Sequence, residues 1–396
     1  MSPQQLVLIG GGHAHVHLLK KWQDQVLPGT EVTLISADRY QYYSGMFSGY
    51  LEGIYSLDDI RIDLLAMCEQ AGVTFIEAKA KQIEPHEQLV YVDADSSSHT
   101  SDQTSKTGHS NHSSKLFMTR SAIAYDWLSV NIGSGIAHHH VSGVLDQAAL
   151  IKPNYRLPHF VDNLQQSKRT VVVGGGASGI EMSLSLQAYR KKHQLPPVTL
   201  IHGGQLLASY GNRIANRMAA IARQKGLNLM LDTSVSEVKE KRLTLQSGTS
   251  VPYDELLWLT GPAAPSLFRE SGLPTDRSGY LLVNEKLQSS TYPNIFGAGD
   301  CISLASAPSM PKAGVYAVRQ APVLWSNLME SLKQKTTPSN LTSYEPQSSF
   351  LSILSTGGGQ GLLLYKGISI HSKWCWKLKR YIDTSFMRKY QTSRKA

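Results

Sequence analysis

Short apolar runs alternate with glycine turns and helix-like stretches along most of this chain. Leu6-Val7-Leu8-Ile9 is too short for a helix and is stopped by Gly10, so it reads as a buried strand. A helical stretch runs from Val16 to Trp22, and Glu31 to Ile35 is a second strand that ends at Ser36. Strand, glycine turn, helix and strand at this size make one βαβ unit. The series returns 164 residues later, when Thr170-Val171-Val172-Val173 enters Gly174-Gly175-Gly176-Ala177-Ser178-Gly179. A helix continues from Ile180 through Tyr189, and Pro197 to Ile201 is its second strand, ending at His202.

Each copy also closes alike. Tyr125-Asp126-Trp127-Leu128 leads to Gly133, and Tyr253-Asp254-Glu255-Leu256 leads to Gly261, eight residues on in both cases. One G-x-G-x-x-G is weak evidence, but two in matching contexts predict an α/β fold with two Rossmann-like dinucleotide-binding units. Ala94 to Arg120 interrupts the first copy and is dense in Ser, Thr, Asp and His. It predicts a mobile surface loop between hairpin strands, in which His99, His109 and His112 are too loosely spaced for a metal site. His138-His139-His140 reads as loop.

Composition narrows the classes. With 396 residues, 41% hydrophobic and 17% charged, the chain has the makings of two or three domains with sizeable cores. No secretory signal and no run of about 20 apolar residues is found. Cys68, Cys301 and Cys375 are odd in number and far apart, which predicts free thiols in a reducing, cytoplasmic setting. The net charge of +9 is concentrated at one end: Lys366 to Ala396 holds nine basic residues against Asp383 alone, or +8. No nucleic-acid partner is expected from so neutral a body.

In a glycine turn of this kind the first glycine permits the bend, the second lets a pyrophosphate approach, and the third seats the helix close. The helix N-terminus then offers N–H groups and partial positive charge to the phosphates. Gly174, Gly176 and Gly179 complete the second turn; the first has Gly10 and Gly12 but His15 third, which predicts a helix seated slightly further out. The acid that usually ends the second strand is replaced by Ser36, with Asp38 two residues on, and by His202. NADH and NADPH are therefore both open. His13 and His17 share a helix face, but nothing completes a metal site, and none is expected.

Tyr292-Pro293-Asn294-Ile295-Phe296-Gly297-Ala298-Gly299-Asp300 resembles the FAD-closing motif of the two-dinucleotide-binding flavoproteins, in which the aspartate bonds the ribityl chain. The likeness is nearest to the flavoprotein domain fused to, or encoded beside, selenide, water dikinase. It rests on Gly11-Gly12-His13-Ala14-His15, on Tyr43-Ser44-Gly45-Met46 with Gly49-Tyr50, on Lys312 to Gln320, and on Ile382-Asp383 with Phe386-Met387. That group is similar to type II NADH dehydrogenases and sulfide:quinone oxidoreductases within the pyridine nucleotide-disulfide oxidoreductase family. The resemblance implies an FAD domain at 1–150 and 263–340, an NAD(P) domain at 151–262, and a basic C-terminal segment at 341–396.

It implies FAD as cofactor and NAD(P)H as co-substrate, with electrons passed to a quinone. The FAD residues would be Gly10, Gly12, His13, Ala14, Ser36, Asp38, Arg39, Ala80, Gly133, Ser134, Gly299, Asp300 and Ala313; those for the nicotinamide nucleotide would be Gly174, Gly176, Gly179, His202 and Gly261. Glu181 would orient the nicotinamide, Lys312 and the helix start after it would stabilise reduced flavin, and Tyr316 and Gln320 would face the acceptor or, for Tyr316, pack. The segment Tyr42 to Phe47 lacks the cysteine pair of disulfide reductases, which disfavours thiol relay. A reductase of selenium or sulfur metabolism and a slow flavin-bearing redox sensor are the alternatives. Trp374, Leu378, Ile382 and Phe386 recur every four residues among Lys377, Lys379, Arg380, Arg388 and Lys389. This stripe in 373–390 predicts either a peripheral helix on the inner face of the cell membrane or a docked helix.

Overall fold

The computed structural model describes residues 2–93, 120–137, 141–335 and 338–391. The histidines at 99, 109, 112 and 138–140, and most of the interrupting loop, lie outside them. The flanking strands Leu89–Asp93 and Arg120–Ala124 pair antiparallel.

Two parallel sheets account for the duplicated pattern. The first runs in the order Ile295–Gly297, Trp127–Val130, Gln4–Ile9, Thr30–Ser36, Thr74–Glu77, and every pairing is parallel. The second runs Glu255–Trp258, Thr170–Val173, Thr199–Ile201, Asn228–Met230, again all parallel. Each unit carries its own three-stranded antiparallel sheet, Ala80–Glu84 to Arg120–Ala124 in one and Val235–Lys239 to Ser250–Pro252 in the other. Short, largely apolar runs buried on both faces, such as Thr170–Val173 with all four residues buried, are what a parallel sheet between helices requires. Because Ile295–Gly297 adds beside Trp127–Val130, the first unit is completed only after the second has been inserted.

The long helix Gly314–Gln334 packs back on the first glycine-turn helix His13–Asp24, with Trp22 and Trp325 edge-on at 6.2 Å. Beyond it the sequence pattern had suggested only a basic segment with one helix. The chain instead forms an antiparallel sheet of Ser352–Ser355, Gly361–Tyr365 and Ile368–Ser372, followed by the helix Lys373–Tyr390. Ser372 caps that helix, its Oγ accepting from the Cys375 N–H at 3.1 Å.

Candidate active site

The first glycine turn is held from the neighbouring parallel strand of the same sheet. Asn131, which follows the closing strand, is buried. Its Oδ1 accepts from the N–H groups of Ala14 (3.0 Å) and His15 (3.4 Å), and its Nδ2 donates to the Ala298 carbonyl at 2.6 Å. One amide thus ties the turn after the first strand to the Gly297-Ala298-Gly299-Asp300 turn. Sequence reasoning missed Asn131, since no motif marks it beyond its place two residues before Gly133. His15 explains the missing third glycine. In the second turn a Cβ at Gly179 would lie 1.9 Å from the Gly174 carbonyl oxygen, so only glycine fits there. In the first, the His15 ring itself bridges the gap: Nδ1–H donates to the Gly10 carbonyl at 2.6 Å, and Nε2 accepts from the Ser129 hydroxyl at 2.9 Å. Burial holds this imidazole neutral, with its pKa lowered to about 4.

A cleft of about 580 Å³ opens along this turn. Gly10, Gly12 and His13 line one side; Ser36, Asp38 and Ala80 lie at one end; Gly133, Ser134, Gly299 and Asp300 line the remainder. The Ser36 hydroxyl donates to the Asp38 carbonyl at 2.9 Å, and the Asp38 carboxylate accepts from the Tyr40 N–H at 2.7 Å. Three assigned residues do not line the cleft. Ala14 is fully buried with its N–H on Asn131, Arg39 forms a two-pronged ion pair with Asp63, and Ala313 caps the helix Gly314–Gln334 just outside. The turn fits a dinucleotide: Asn131 takes the Ala14 and His15 N–H groups with its side chain and the Gly12 N–H with its carbonyl at 3.2 Å, while Gly11, Gly12 and His13 line the cleft at the helix start. A Cβ at Gly133 would meet nothing within 4 Å.

Lys312, Gln320 and Tyr316 lie as follows. The Lys312 ammonium donates to the Ile302 carbonyl and lies 4.0 Å from the Tyr280 ring centre, and Lys312 does not line the cleft. Lys152 does line it beside Asp300, with its ammonium 2.7 Å from Ser134 Oγ and 3.9 Å from Asp300 Oδ2. Lys152, Pro153, Asn154 and Tyr155, just past the expected boundary at 151, line the same cleft. Gln320 is fully buried, and its Oε1 accepts from the Gly299 N–H at 2.7 Å. It holds the turn that carries Asp300. Tyr316 is buried too, edge-on to Phe350 at 5.7 Å, so the packing alternative describes its contacts.

In the second unit a Cβ at Gly176 or Gly261 would meet nothing within 4 Å, which leaves open space where a ligand would lie. The His202 ring lies against Gly175, whose Cβ would come within 2.3 Å of it, and burial lowers its pKa. Glu181, on the helix Ala177–Lys192, reaches across to the first unit. Its Oε1 accepts from Ser48 Oγ (3.1 Å) and from the Ser355 N–H (2.9 Å), and Lys379 Nζ is 3.5 Å away. Lys379 also donates to the Gly45 carbonyl at 2.7 Å and pairs with Asp383 at 3.2 Å, while the Tyr43 hydroxyl donates to Asp383 at 3.0 Å. Burial alone would lower the Lys379 pKa; the Glu181 and Asp383 carboxylates outweigh it and keep the ammonium charged. Tyr43 stacks on Phe386 at 4.6 Å, and both rings contact His13. The C-terminal helix is therefore part of the site. His17 bonds the Tyr390 hydroxyl at 3.2 Å, and among the described residues no group of three or more possible ligands could hold a metal.

Residues 4–323 match the family model described as pyridine nucleotide-disulphide oxidoreductase. The chain belongs to this family. Membership indicates FAD as cofactor with NAD(P)H as substrate. Among curated relatives, the internal alternative NAD(P)H-ubiquinone oxidoreductase A1 of Arabidopsis thaliana mitochondria is 29% identical over 215 residues, which is 48% of this chain and 42% of that protein. The match thus spans less than half of that relative. Two solved structures share the fold. NDH2 of Plasmodium falciparum in complex with NADH aligns with a TM-score of 0.76 at 14% identity, covering 97% of this chain and 98% of that one. The sulfide:quinone oxidoreductase of Aquifex aeolicus aligns with a TM-score of 0.74 at 19% identity, covering 98% and 91%. Cys68, Cys301 and Cys375 are all free and buried, and burial pushes the Cys68 thiol up to about 12 and the Cys301 thiol up to about 11.

Proposed function

We propose that this chain is an NAD(P)H dehydrogenase that passes electrons through FAD to a quinone. The observation that carries the reading is the contact of Glu181 with Ser48, which sets the second glycine-turn helix against the Tyr43–Ser48 segment of the FAD unit. FAD supplies hydride acceptance and electron transfer when bound. The protein's share is placement and electrostatics. Gly10 to His13 and the helix after them bind phosphate, and Asp300 binds the ribityl hydroxyls. Glu181, fixed by Ser48, Ser355 and Lys379, orients the nicotinamide. Tyr43, Phe386 and His13 wall the place where the two units meet and exclude water.

A quinone is favoured over a thiol or sulfide because no cysteine replaces Tyr43-Ser44-Gly45-Met46 beside this meeting point. It is favoured also by the Arabidopsis relative, whose name carries ubiquinone. A lipid-borne acceptor suits the C-terminal surface. Trp374 is 60% exposed, Tyr381 67% and Ile368 58%, with Ile370 and Ile382 also outward beside the exposed Lys373 and Lys377. Aromatic and aliphatic groups beside lysines form an interfacial membrane contact. No helix among the described residues is long and apolar enough to cross a membrane. The test is steady-state NADH and NADPH oxidation with a soluble quinone, a disulfide and polysulfide as competing acceptors. Quinone should be turned over fastest, and preference for the sulfur acceptors would reject the reading.

A further inference from the structure

The cleft has an unassigned cation at its Asp300 end. Cationic side chains line the cleft at Lys79, Lys81 and Lys152. Lys81 is paired with Asp93 at 2.8 Å and, like Lys79, belongs with Ala78 and Ala80 at the Asp38 end. His13 is held neutral by burial, and Lys312 is turned to Ile302 and Tyr280. That leaves Lys152 as the cationic side chain at the other end. Its ammonium has three N–H donors, and Ser134 Oγ takes one at 2.7 Å. Asp300 Oδ2 stands off at 3.9 Å, beyond hydrogen-bond length, so neither charge is fully partnered by protein. A dinucleotide diphosphate would bring two more negative charges alongside the Asp300 carboxylate, in a site where little water remains to screen them.

We propose that Lys152 is a cofactor-binding residue that holds the diphosphate–ribityl stretch of FAD opposite the glycine turn. It would donate to a phosphate oxygen and offset the repulsion between that phosphate and Asp300. The proposal rests on FAD as the cofactor and is independent of which acceptor is reduced.

The test is FAD titration of apoprotein, followed by quenching of flavin fluorescence, for wild type, Lys152→Met, Lys152→Arg, Asp300→Asn and the double variant Lys152→Met/Asp300→Asn. Losing one charge-assisted hydrogen bond should raise the Kd of Lys152→Met about 10- to 100-fold. Lys152→Arg should stay within about threefold. The double variant should lose less affinity than the two single losses combined, because removing Asp300's charge removes the repulsion Lys152 offsets. An unchanged Kd for Lys152→Met overturns the proposal. So does a loss that Lys152→Arg shares in full, or one that accompanies a lower melting temperature of the apoprotein, since either would make Lys152 a scaffold residue. Strict additivity in the double variant would likewise reject the offset.

Discussion

Asn131→Ala should damage both cofactor retention and folding, because it unties two turns with one substitution. The side chain is buried and makes two short hydrogen bonds, from the Ala14 N–H at 3.0 Å and to the Ala298 carbonyl at 2.6 Å, with a longer one from His15 N–H at 3.4 Å. Alanine removes the acceptor of the Ala14 and His15 N–H groups and leaves the Ala298 carbonyl only the weak Cys301 S–H donor at 3.3 Å. Each such group costs about 1–3 kcal/mol, and the lost amide leaves a small cavity, so the total should be about 3–5 kcal/mol. That is a large fraction of a typical domain's stability of about 5–15 kcal/mol. The backbone would also lose its guide: a Cβ at Gly12 would lie 2.2 Å from Asn131 Oδ1, and one at Gly299 2.6 Å from Nδ2, so both turns are moulded on this amide. Urea denaturation of apoprotein should report the stability loss, and FAD titration should show weakened binding in whatever protein remains folded. Asn131→Asp should not rescue either property, since a carboxylate oxygen would face the Ala298 carbonyl. A loss under about 0.5 kcal/mol with unchanged FAD affinity would refute the claim that Asn131 couples the two turns.

Three further outcomes follow from the same geometry. Lys379→Met leaves Glu181 and Asp383 buried without their shared cation and should cost about 3–5 kcal/mol in denaturant unfolding, whereas a loss below about 1 kcal/mol would mean the network is solvated. His15 has a folded pKa of about 4 against 6.5 unfolded, so the unfolded state takes up the proton first and stability present above about pH 6.5 is lost as pH falls towards 4. Its full contribution is about 3 kcal/mol, and wild-type stability that is flat between about pH 7 and 5, or falls no more steeply than that of His15→Gln, would contradict it. Changing Trp374, Tyr381 and Ile382 together to Ser should abolish sedimentation with anionic vesicles while flavin and melting temperature are kept. Unchanged vesicle binding would remove this face from the membrane contact.

The fold was legible because its signals are periodic and repeated. Buried parallel strands read as apolar runs, and the glycine turns after Ile9 and Val173 mark where each meets its helix. Gly10, Gly12, Ser36 and Asp38, which line the cleft, were legible as turn and strand-end positions for the same reason. The contacts around Glu181, Asn131 and Lys152 were not, because these residues break the apolar and glycine patterns. The buried face of the last helix carries Cys375, Lys379, Asp383, Met387 and Tyr390, and two of these are charged. The stripe Trp374, Leu378, Ile382, Phe386 advances four residues at a time on a helix of about 3.6 per turn, so it drifts about 120° over its length. It runs from solvent at Trp374 to Tyr43 at Phe386, neither wholly a membrane face nor wholly a docking face. Ending the chain at Ser372 would accordingly remove part of the site as well as a surface. Asn131 and Lys152 are single polar residues whose partners lie 117 and 18 positions away, a relation that only the folded chain exposes.

The most direct test of the account is a two-step anaerobic experiment on the purified flavoprotein. NADH or NADPH is added first, and a quinone is then added to the reduced protein, while flavin absorbance is followed. Stoichiometric bleaching by at least one nicotinamide nucleotide and full recovery of the oxidised spectrum on adding quinone are expected, with all three cysteines replaced by serine as well as in wild type. Flavin that neither nucleotide reduces, or reduced flavin that quinone leaves bleached, would contradict it.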